Sequence, residues 1–136
     1  MGISAGVTMF VFGATALCTG LMGLIRPELL LSVLGFTVVE RGARAAGDYT
    51  IVFITTSSMA AFNMGIYYVL AAVNDMKKFY LWTVPFRLVT FAVFSFLAVT
   101  GVAPMRFIFV GLWEGIGALT TALALYQERR IHRHLK

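Results

Sequence analysis

The most constraining feature of this sequence is a carboxylate in the middle of an apolar segment of membrane length. Residues 104–126 read PMRFIFVGLWEGIGALTTALALY, with Glu114 near their centre. A helix rises about 1.5 Å per residue, so roughly 20 apolar residues cross the hydrocarbon of a bilayer. Glu114 then lies about 18 Å from the Tyr126 end, at a depth where an acidic side chain costs about 2.5–3.5 kcal/mol. Such a residue indicates a buried partner or a functional site.

The composition indicates that lipid is the solvent for most of the chain. Of its 136 residues, 60% are hydrophobic and 12% are charged, whereas soluble domains have about 25% charged residues. A soluble core of this size could not bury so much apolar surface, so we predict one integral membrane domain over residues 1–136. The formal charge of +5 comes from basic residues at segment ends, which favours anionic lipid headgroups over nucleic acid as the partner.

Four segments are long and apolar enough to cross a bilayer as helices. Their short connections force neighbouring helices to be antiparallel, which predicts an all-α, up-down four-helix bundle. Between the first two spans lies a shorter segment, residues 27–36, which we interpret as an interfacial helix that starts at Pro27 and stops at Gly35. The predicted spans are residues 3–25, 49–73, 80–102 and 104–126, followed by a basic tail at 127–136.

The Lys and Arg residues favour one orientation in the membrane. Of the eleven, six lie on the side of both termini, four lie on the other side, and Arg87 lies within a span. Cytoplasmic ends carry the excess of basic residues, so we predict that both termini are cytoplasmic.

Small residues in the first and fourth spans allow another helix to approach closely. They are Gly13, Gly20 and Gly23 in the first span, and Gly111, Gly115, Ala118 and Ala122 in the fourth.

Polar side chains from three spans lie at similar depths. Counted from the end that holds the termini, Arg87, Asn63 and Glu114 lie about 12, 15 and 18 Å deep, and Thr15 comes to a similar level. Buried charges in membranes face the protein interior and find partners, so we predict an ion pair between Arg87 and Glu114. The sequence leaves open whether this pair is structural, belongs to a site in a dry cavity, or lines an ion or proton path formed by several copies.

Aromatic residues surround this polar layer. Tyr80, Trp82 and Tyr126 fit a belt at the membrane interface, but Trp113, beside Glu114 at mid-depth, does not. A ring at that depth could line an apolar pocket, so Trp113 is a candidate ligand-binding residue. Tyr67, near the end of the second span, is another. Further rings are Phe86, Phe91, Phe94, Phe96 and Phe109.

Residues 37–48 hold the densest mixed charge outside the tail. Arg44 and Asp48 are four residues apart and would share one helical face. Two interpretations are open: a solvated cap on the next helix, or a gate at the membrane surface.

The single cysteine, Cys18, excludes an internal disulfide and a CxxC redox pair. The only histidines, His132 and His134, lie in the basic tail. We therefore predict no metal site and no cofactor.

Several segments resemble the DoxX-like group of small four-span membrane proteins. They are RPELLLSVLGF after the first span, AFNMGIYYVLAA in the second, Arg87 early in the third, and WEGIGALTTALAL in the fourth. The resemblance covers most of the chain and implies the four-span architecture more than any one activity.

The leading functional hypothesis is a protein that binds a lipophilic small molecule between its helices and acts as an isomerase or cyclase. Glu114 would be the acid or base and Arg87 its charge partner, while Asn63, Trp113 and Tyr67 would contact the ligand. Membrane-embedded isomerases and terpene cyclases, which use carboxylates among aromatic rings, offer the chemical analogy. The alternatives are a non-catalytic accessory subunit that docks on a larger membrane complex through glycine-lined faces, and a proton-coupled transporter that works as a homo-oligomer.

Overall fold

The computed structural model describes residues 4–134, without the side chains of residues 132–134, and over that range the chain is helical with no strand. Three parts of the predictions lie outside this description. They are residue 3, which is the predicted first residue of span one, the histidine side chains, and residues 135–136 of the predicted tail. Two short 3₁₀ turns occur at Arg41–Ala43 and Met105–Phe107. The helices are α1 (Ala5–Ile25), α2 (Pro27–Val33), α3 (Thr50–Val73), α4 (Lys77–Val99) and α5 (Ile108–His134).

Four of these helices, α1, α3, α4 and α5, are long and apolar enough to cross a membrane. The predicted all-α fold with four long apolar helices is therefore confirmed. One boundary differs clearly, because α5 continues past Tyr126 to His134. The segment QERR that follows Tyr126 contains good helix formers and no glycine or proline, so nothing ends the helix there.

The short helix α2 begins and ends where its sequence predicts. Pro27 occupies its first position, where a missing N–H breaks no hydrogen bond. Gly35 follows its end with a φ of 87°, a left-handed conformation that glycine adopts without strain.

The closest helix packing joins α1 to α3 at glycines. A Cβ atom on Gly13 would lie 2.9 Å from the Val69 nitrogen, and one on Gly20 would lie 2.5 Å from the Phe62 nitrogen. Gly65 of α3 is equally close to α1. These two helices, the α1–α3 pair, therefore approach backbone to backbone, as the glycines predict.

A second pair forms between α4 and α5. A Cβ atom on Gly111 would lie 3.0 Å from Ser95 Oγ, and one on Gly115 would lie 3.0 Å from the Phe91 ring. The glycines that could have formed a docking face for a partner protein are thus used inside the bundle, in the α1–α3 and α4–α5 pairs.

A buried core joins the two pairs near the start of α1 and the end of α3. Met9 and Tyr80 are fully buried there, and the Tyr80 hydroxyl donates to the Ala71 carbonyl at 3.0 Å. The placement of Tyr80 in an interfacial belt is therefore wrong, because its hydroxyl finds a partner inside the protein. Trp82 and Tyr126 are exposed, as a belt requires. Farther along the helices from this core, a cavity lies between the pairs.

Candidate functional site

All four long helices line this cavity, which we call the central cavity; its volume is about 430 Å³. Small-molecule sites have volumes of about 300–1,000 Å³, so the central cavity is large enough for a small organic ligand. The lining residues come from the middle of α1, α3 and α4 and from the first two turns of α5. Its charged residues are Arg87 and Glu114, and three threonines lie in its wall: Thr15, Thr19 and Thr90.

Arg87 and Glu114 form the predicted ion pair across the α4–α5 pair. Arg87 Nε donates a hydrogen bond to Glu114 Oε2 at 3.2 Å. The Arg87 side chain is 3% exposed and that of Glu114 is 19% exposed. The charges are therefore shielded from lipid by the surrounding helices, while Glu114 keeps access to the cavity.

The rest of the Arg87 guanidinium lacks hydrogen-bond partners. Neither Nη1 nor Nη2 has one among the described residues, although both are buried. The Cζ atom lies 3.4 Å from the centroid of the Phe12 ring, a cation–π contact that partly compensates for the lost hydration. Nη2 also lies against Gly117, where a Cβ atom would collide with it. Arg87 is thus held in place by Glu114, Phe12 and Gly117, while its Nη1 and Nη2 donate no hydrogen bond to a described residue.

The Glu114 carboxylate can also accept further hydrogen bonds. Its Oε1 accepts no hydrogen bond from a described residue, since the only bond to this carboxylate ends on Oε2. The wall threonines do not compete for it, because Thr15, Thr19 and Thr90 donate to carbonyls of their own helices. The wall of the cavity therefore holds one carboxylate oxygen without a hydrogen bond from a described residue, and the Arg87 nitrogens beside it are buried.

Aromatic rings form much of the remaining wall. The Trp113 ring stacks on Phe12 with centroids 6.2 Å apart, and Phe12 meets Tyr68 edge to face at 5.1 Å. Trp113 lines the cavity, which is the position that its predicted ligand contact requires. Phe86 and Phe94 complete the set, whereas Phe96 and Phe109 face outward.

Two predicted ligand contacts do not line the central cavity. Asn63 is half-buried and makes no side-chain hydrogen bond to a described residue. Tyr67 is 56% exposed, while its neighbour Tyr68 is buried and lines the cavity. The ligand-binding roles of Asn63 and Tyr67 stay predictions that this geometry does not favour.

Arg44 and Asp48 do not share a helical face, contrary to expectation. Apart from the turn at Arg41–Ala43, residues 37–48 are not helical. Gly47 adopts a φ of 90°, which interrupts any helix between the two side chains. They form no ion pair with each other.

Each of these residues has a different partner. Asp48 accepts a hydrogen bond from the Thr50 N–H at 2.9 Å, at the first residue of α3. Hydrogen bonds from the Thr50 hydroxyl and N–H lower the pKa of Asp48. Arg44 donates to the Val39 carbonyl and lies 3.9 Å from Glu28 on α2. Asp48 thus accepts from one N–H group at the start of α3, just before the N-cap residue Tyr49, which favours the interpretation as a solvated cap; both interpretations stay untested.

Three residues around the pair are not predicted from the sequence: Phe12, Tyr68 and Gly117. The contact of Gly117 with the pair could be predicted from its spacing, because it lies three residues after Glu114 and so shares its helical face. No sequence feature predicts the positions of Phe12 and Tyr68, since the sequence does not show which faces of α1 and α3 point towards α4.

Comparison of the sequence with protein-family models, with curated proteins and with solved structures finds no significant match. The resemblance to DoxX-like proteins therefore stays an expectation from the motifs.

Proposed function

We propose that this protein is a small multi-pass membrane protein that binds a lipophilic molecule in the central cavity and isomerises or cyclises it. The observation that carries the proposal is the cavity itself, lined by all four long helices with Glu114 and Arg87 in its wall. A buried charge pair facing a ligand-sized space is the usual mark of a binding site within a membrane protein.

The free polar atoms favour a ligand with an apolar body and one acceptor oxygen. Nη1 and Nη2 of Arg87 are donors without partners among the described residues, and a ligand carbonyl or hydroxyl oxygen would satisfy them. The Arg87–Glu114 pair has no net charge, so a neutral ligand avoids placing an uncompensated charge in the bundle. Both nitrogens are buried against Phe12, and we expect that ring to shift when the ligand enters.

The same atoms suggest a proton-transfer reaction. Glu114 Oε1 would take a proton from a ligand carbon beside the carbonyl, and the electron pair of that C–H bond would move towards the carbonyl oxygen. Arg87 would stabilise the negative charge that develops on that oxygen. If the ligand has a C=C bond next to the carbon that loses the proton, return of the proton from Glu114 to the far carbon of that bond moves the double bond into conjugation with the carbonyl and restores the carboxylate. A cyclisation would begin instead with protonated Glu114 giving its proton to the ligand.

We also propose that both termini are cytoplasmic, from the excess of basic residues on that side. A reporter domain active only in the cytoplasm, fused after Lys136, would be active. An inactive reporter with normal protein levels would reverse the orientation.

Hydrogen isotope exchange tests the enzymatic proposal while the ligand is still unidentified. The protein is purified in mild detergent and incubated in deuterated buffer, and the bound small molecules are extracted for mass spectrometry. We expect a lipophilic, oxygen-containing compound that gains deuterium on carbon. Glu114→Gln removes the proton acceptor, so this variant should insert and accumulate normally while the exchange is lost.

Asp75→Asn is the matched control. It makes the same carboxylate-to-amide change outside the cavity, and asparagine tolerates the left-handed φ of 47° at that position. Unchanged deuterium uptake in Glu114→Gln would remove the enzyme proposal. A fixed protein partner with no bound small molecule would favour the accessory-subunit alternative, and uptake driven by a pH gradient in an oligomer would favour the transporter.

A further inference from the structure

A second concave surface lies on the outside of the α4–α5 pair. This outer groove has a volume of about 510 Å³. Trp82 and Pro85 of α4 form one wall, and Ala122 and Tyr126 of α5 form the other. The groove exists partly because Ala122 is small, so the larger side chains around it leave a slot between the two helices.

The outer groove is apolar along its length and basic at one end. Arg129 is the only charged residue among its lining side chains. Lys78 lies four residues before Trp82, which places it on the same face of α4 and at the same end of the slot as Arg129. Both side chains are exposed, and neither forms an ion pair with a described residue. Lys77, by contrast, is paired with Glu128 at 2.8 Å.

We infer that the outer groove binds an anionic phospholipid, with one acyl chain along the slot and the phosphate between Lys78 and Arg129. An apolar slot that ends in two cations without ion-pair partners among the described residues is complementary to an amphiphile with a negative headgroup. Trp82 and Tyr126 suit the boundary between headgroups and acyl chains, because each ring has an apolar body and a polar tip. A zwitterionic lipid fits less well, because its own cation would lie near the two basic side chains.

This inference does not depend on the proposed function. The outer groove and the central cavity lie on different sides of the α4–α5 pair and share only Phe86 among their lining residues. Loss of lipid binding would leave the isomerase proposal standing, and the reverse also holds.

Tryptophan quenching tests it directly, because the chain has two tryptophans and each reports on one site. Trp113→Phe keeps a ring against Phe12 and leaves Trp82 as the only tryptophan, in the outer groove. This variant is reconstituted into phosphatidylcholine vesicles that contain small amounts of phosphatidylglycerol brominated on its acyl chains, or the same amounts of brominated phosphatidylcholine. We expect saturable quenching of Trp82 by the brominated phosphatidylglycerol at lower mole fractions than by the brominated phosphatidylcholine.

Charge variants separate a site from general attraction to the surface. Arg129→Gln should lower the preference for phosphatidylglycerol about fivefold, since a basic residue near an anionic surface contributes about 1 kcal/mol. Adding Lys78→Gln should abolish it, whereas Arg129→Lys should retain it. Arg130→Gln is the matched control, because it removes the same charge from the adjacent residue, off the groove face.

Two results would overturn the inference. One is equal quenching of Trp82 by the two brominated lipids. The other is the same loss in Arg130→Gln as in Arg129→Gln, which would mean general surface electrostatics. If the first result takes the form of protection of Trp82 from both lipids, and the protein is a dimer in solution, the groove binds a second copy of the chain.

Discussion

The guanidinium of Arg87 occupies the space that a side chain on Gly117 would fill. Gly117 lies three residues after Glu114, so one face of α5 supplies both the carboxylate that binds Nε and the gap that admits Nη2. The position of the ion pair therefore depends on Gly117, which leaves room for the guanidinium, as well as on the Glu114 carboxylate.

The first prediction follows from this contact. Gly117→Ala should destabilise the protein by about 1–3 kcal/mol, because the added Cβ would displace the Arg87 guanidinium from its contacts with Glu114 and Phe12. Thermal unfolding in mild detergent measures the change. Gly42→Ala is the control, since a Cβ atom there meets nothing within 4 Å. Equal stability of the two variants would show that Gly117 does not position Arg87, whereas a smaller cost of Gly117→Ala when Arg87 and Glu114 are both replaced by methionine would show that it does.

The second prediction concerns the ion pair itself. Glu114→Ala should cost about 3–5 kcal/mol, because it leaves Arg87 charged, buried and unpaired. Replacing both residues by methionine should be nearly neutral or stabilising, since the charges leave together and the volume is kept. Chemical denaturation of the single and double variants gives the comparison. If the double variant is stable but exchanges no deuterium into the ligand, the pair serves function rather than folding.

The third prediction tests the close contact between α1 and α3. Gly20→Ala should cost about 1–3 kcal/mol, because its Cβ would meet backbone atoms of Phe62, which cannot move aside alone. Gly6→Ala, on the same helix, should be tolerated, because its nearest neighbour, the Tyr80 hydroxyl, lies 3.6 Å away. Thermal unfolding of the two variants side by side measures the difference, and a tolerated Gly20→Ala would contradict the packing.

The fourth prediction concerns pH and the start of α3. Hydrogen bonds from the Thr50 hydroxyl and N–H hold the pKa of Asp48 below its ordinary value of 3.8. A depressed folded pKa means that the cap contributes fully above the unfolded pKa and is lost as pH falls through the lower, folded value. Amide hydrogen exchange at the first turn of α3 should therefore stay slow at about pH 4 and accelerate in stronger acid. Asp48→Asn keeps the cap, so acceleration at the same pH in that variant would rule Asp48 out.

The sequence predicts the helices and the ion pair because both follow from one-dimensional information. Apolar length fixes the candidate spans, Pro27 and Gly35 fix α2, and depth along α4 and α5 brings Arg87 and Glu114 to one level. The depth of a residue along a helix does not determine which side of the helix faces the cavity. Asn63 lies at the depth of the ion pair but does not line the cavity. Phe12 contacts the guanidinium from α1, and the spacing of residues in the sequence does not show which side of α1 faces α4.

Local geometry explains the other differences between the expected and the observed positions. Tyr67 and Tyr68 are adjacent, and a helix turns by about 100° per residue, so only one of them can face the cavity. Arg44 and Asp48 have helical spacing, but Gly47 prevents the helix that the spacing assumes. Tyr80 has an interfacial residue type, yet a carbonyl at the end of α3 makes burial favourable.

The central claim is that a lipophilic molecule with an acceptor oxygen binds beside Arg87 and Glu114. Trp82→Phe leaves Trp113 as a single reporter in the cavity wall, and its fluorescence can be titrated with a brominated long-chain ketone and with the brominated alkane of equal length. We predict saturable quenching by the ketone at lower concentration than by the alkane, and loss of that difference in Arg87→Met. Quenching that is linear, equal for the two compounds and unchanged by Arg87→Met would contradict the account.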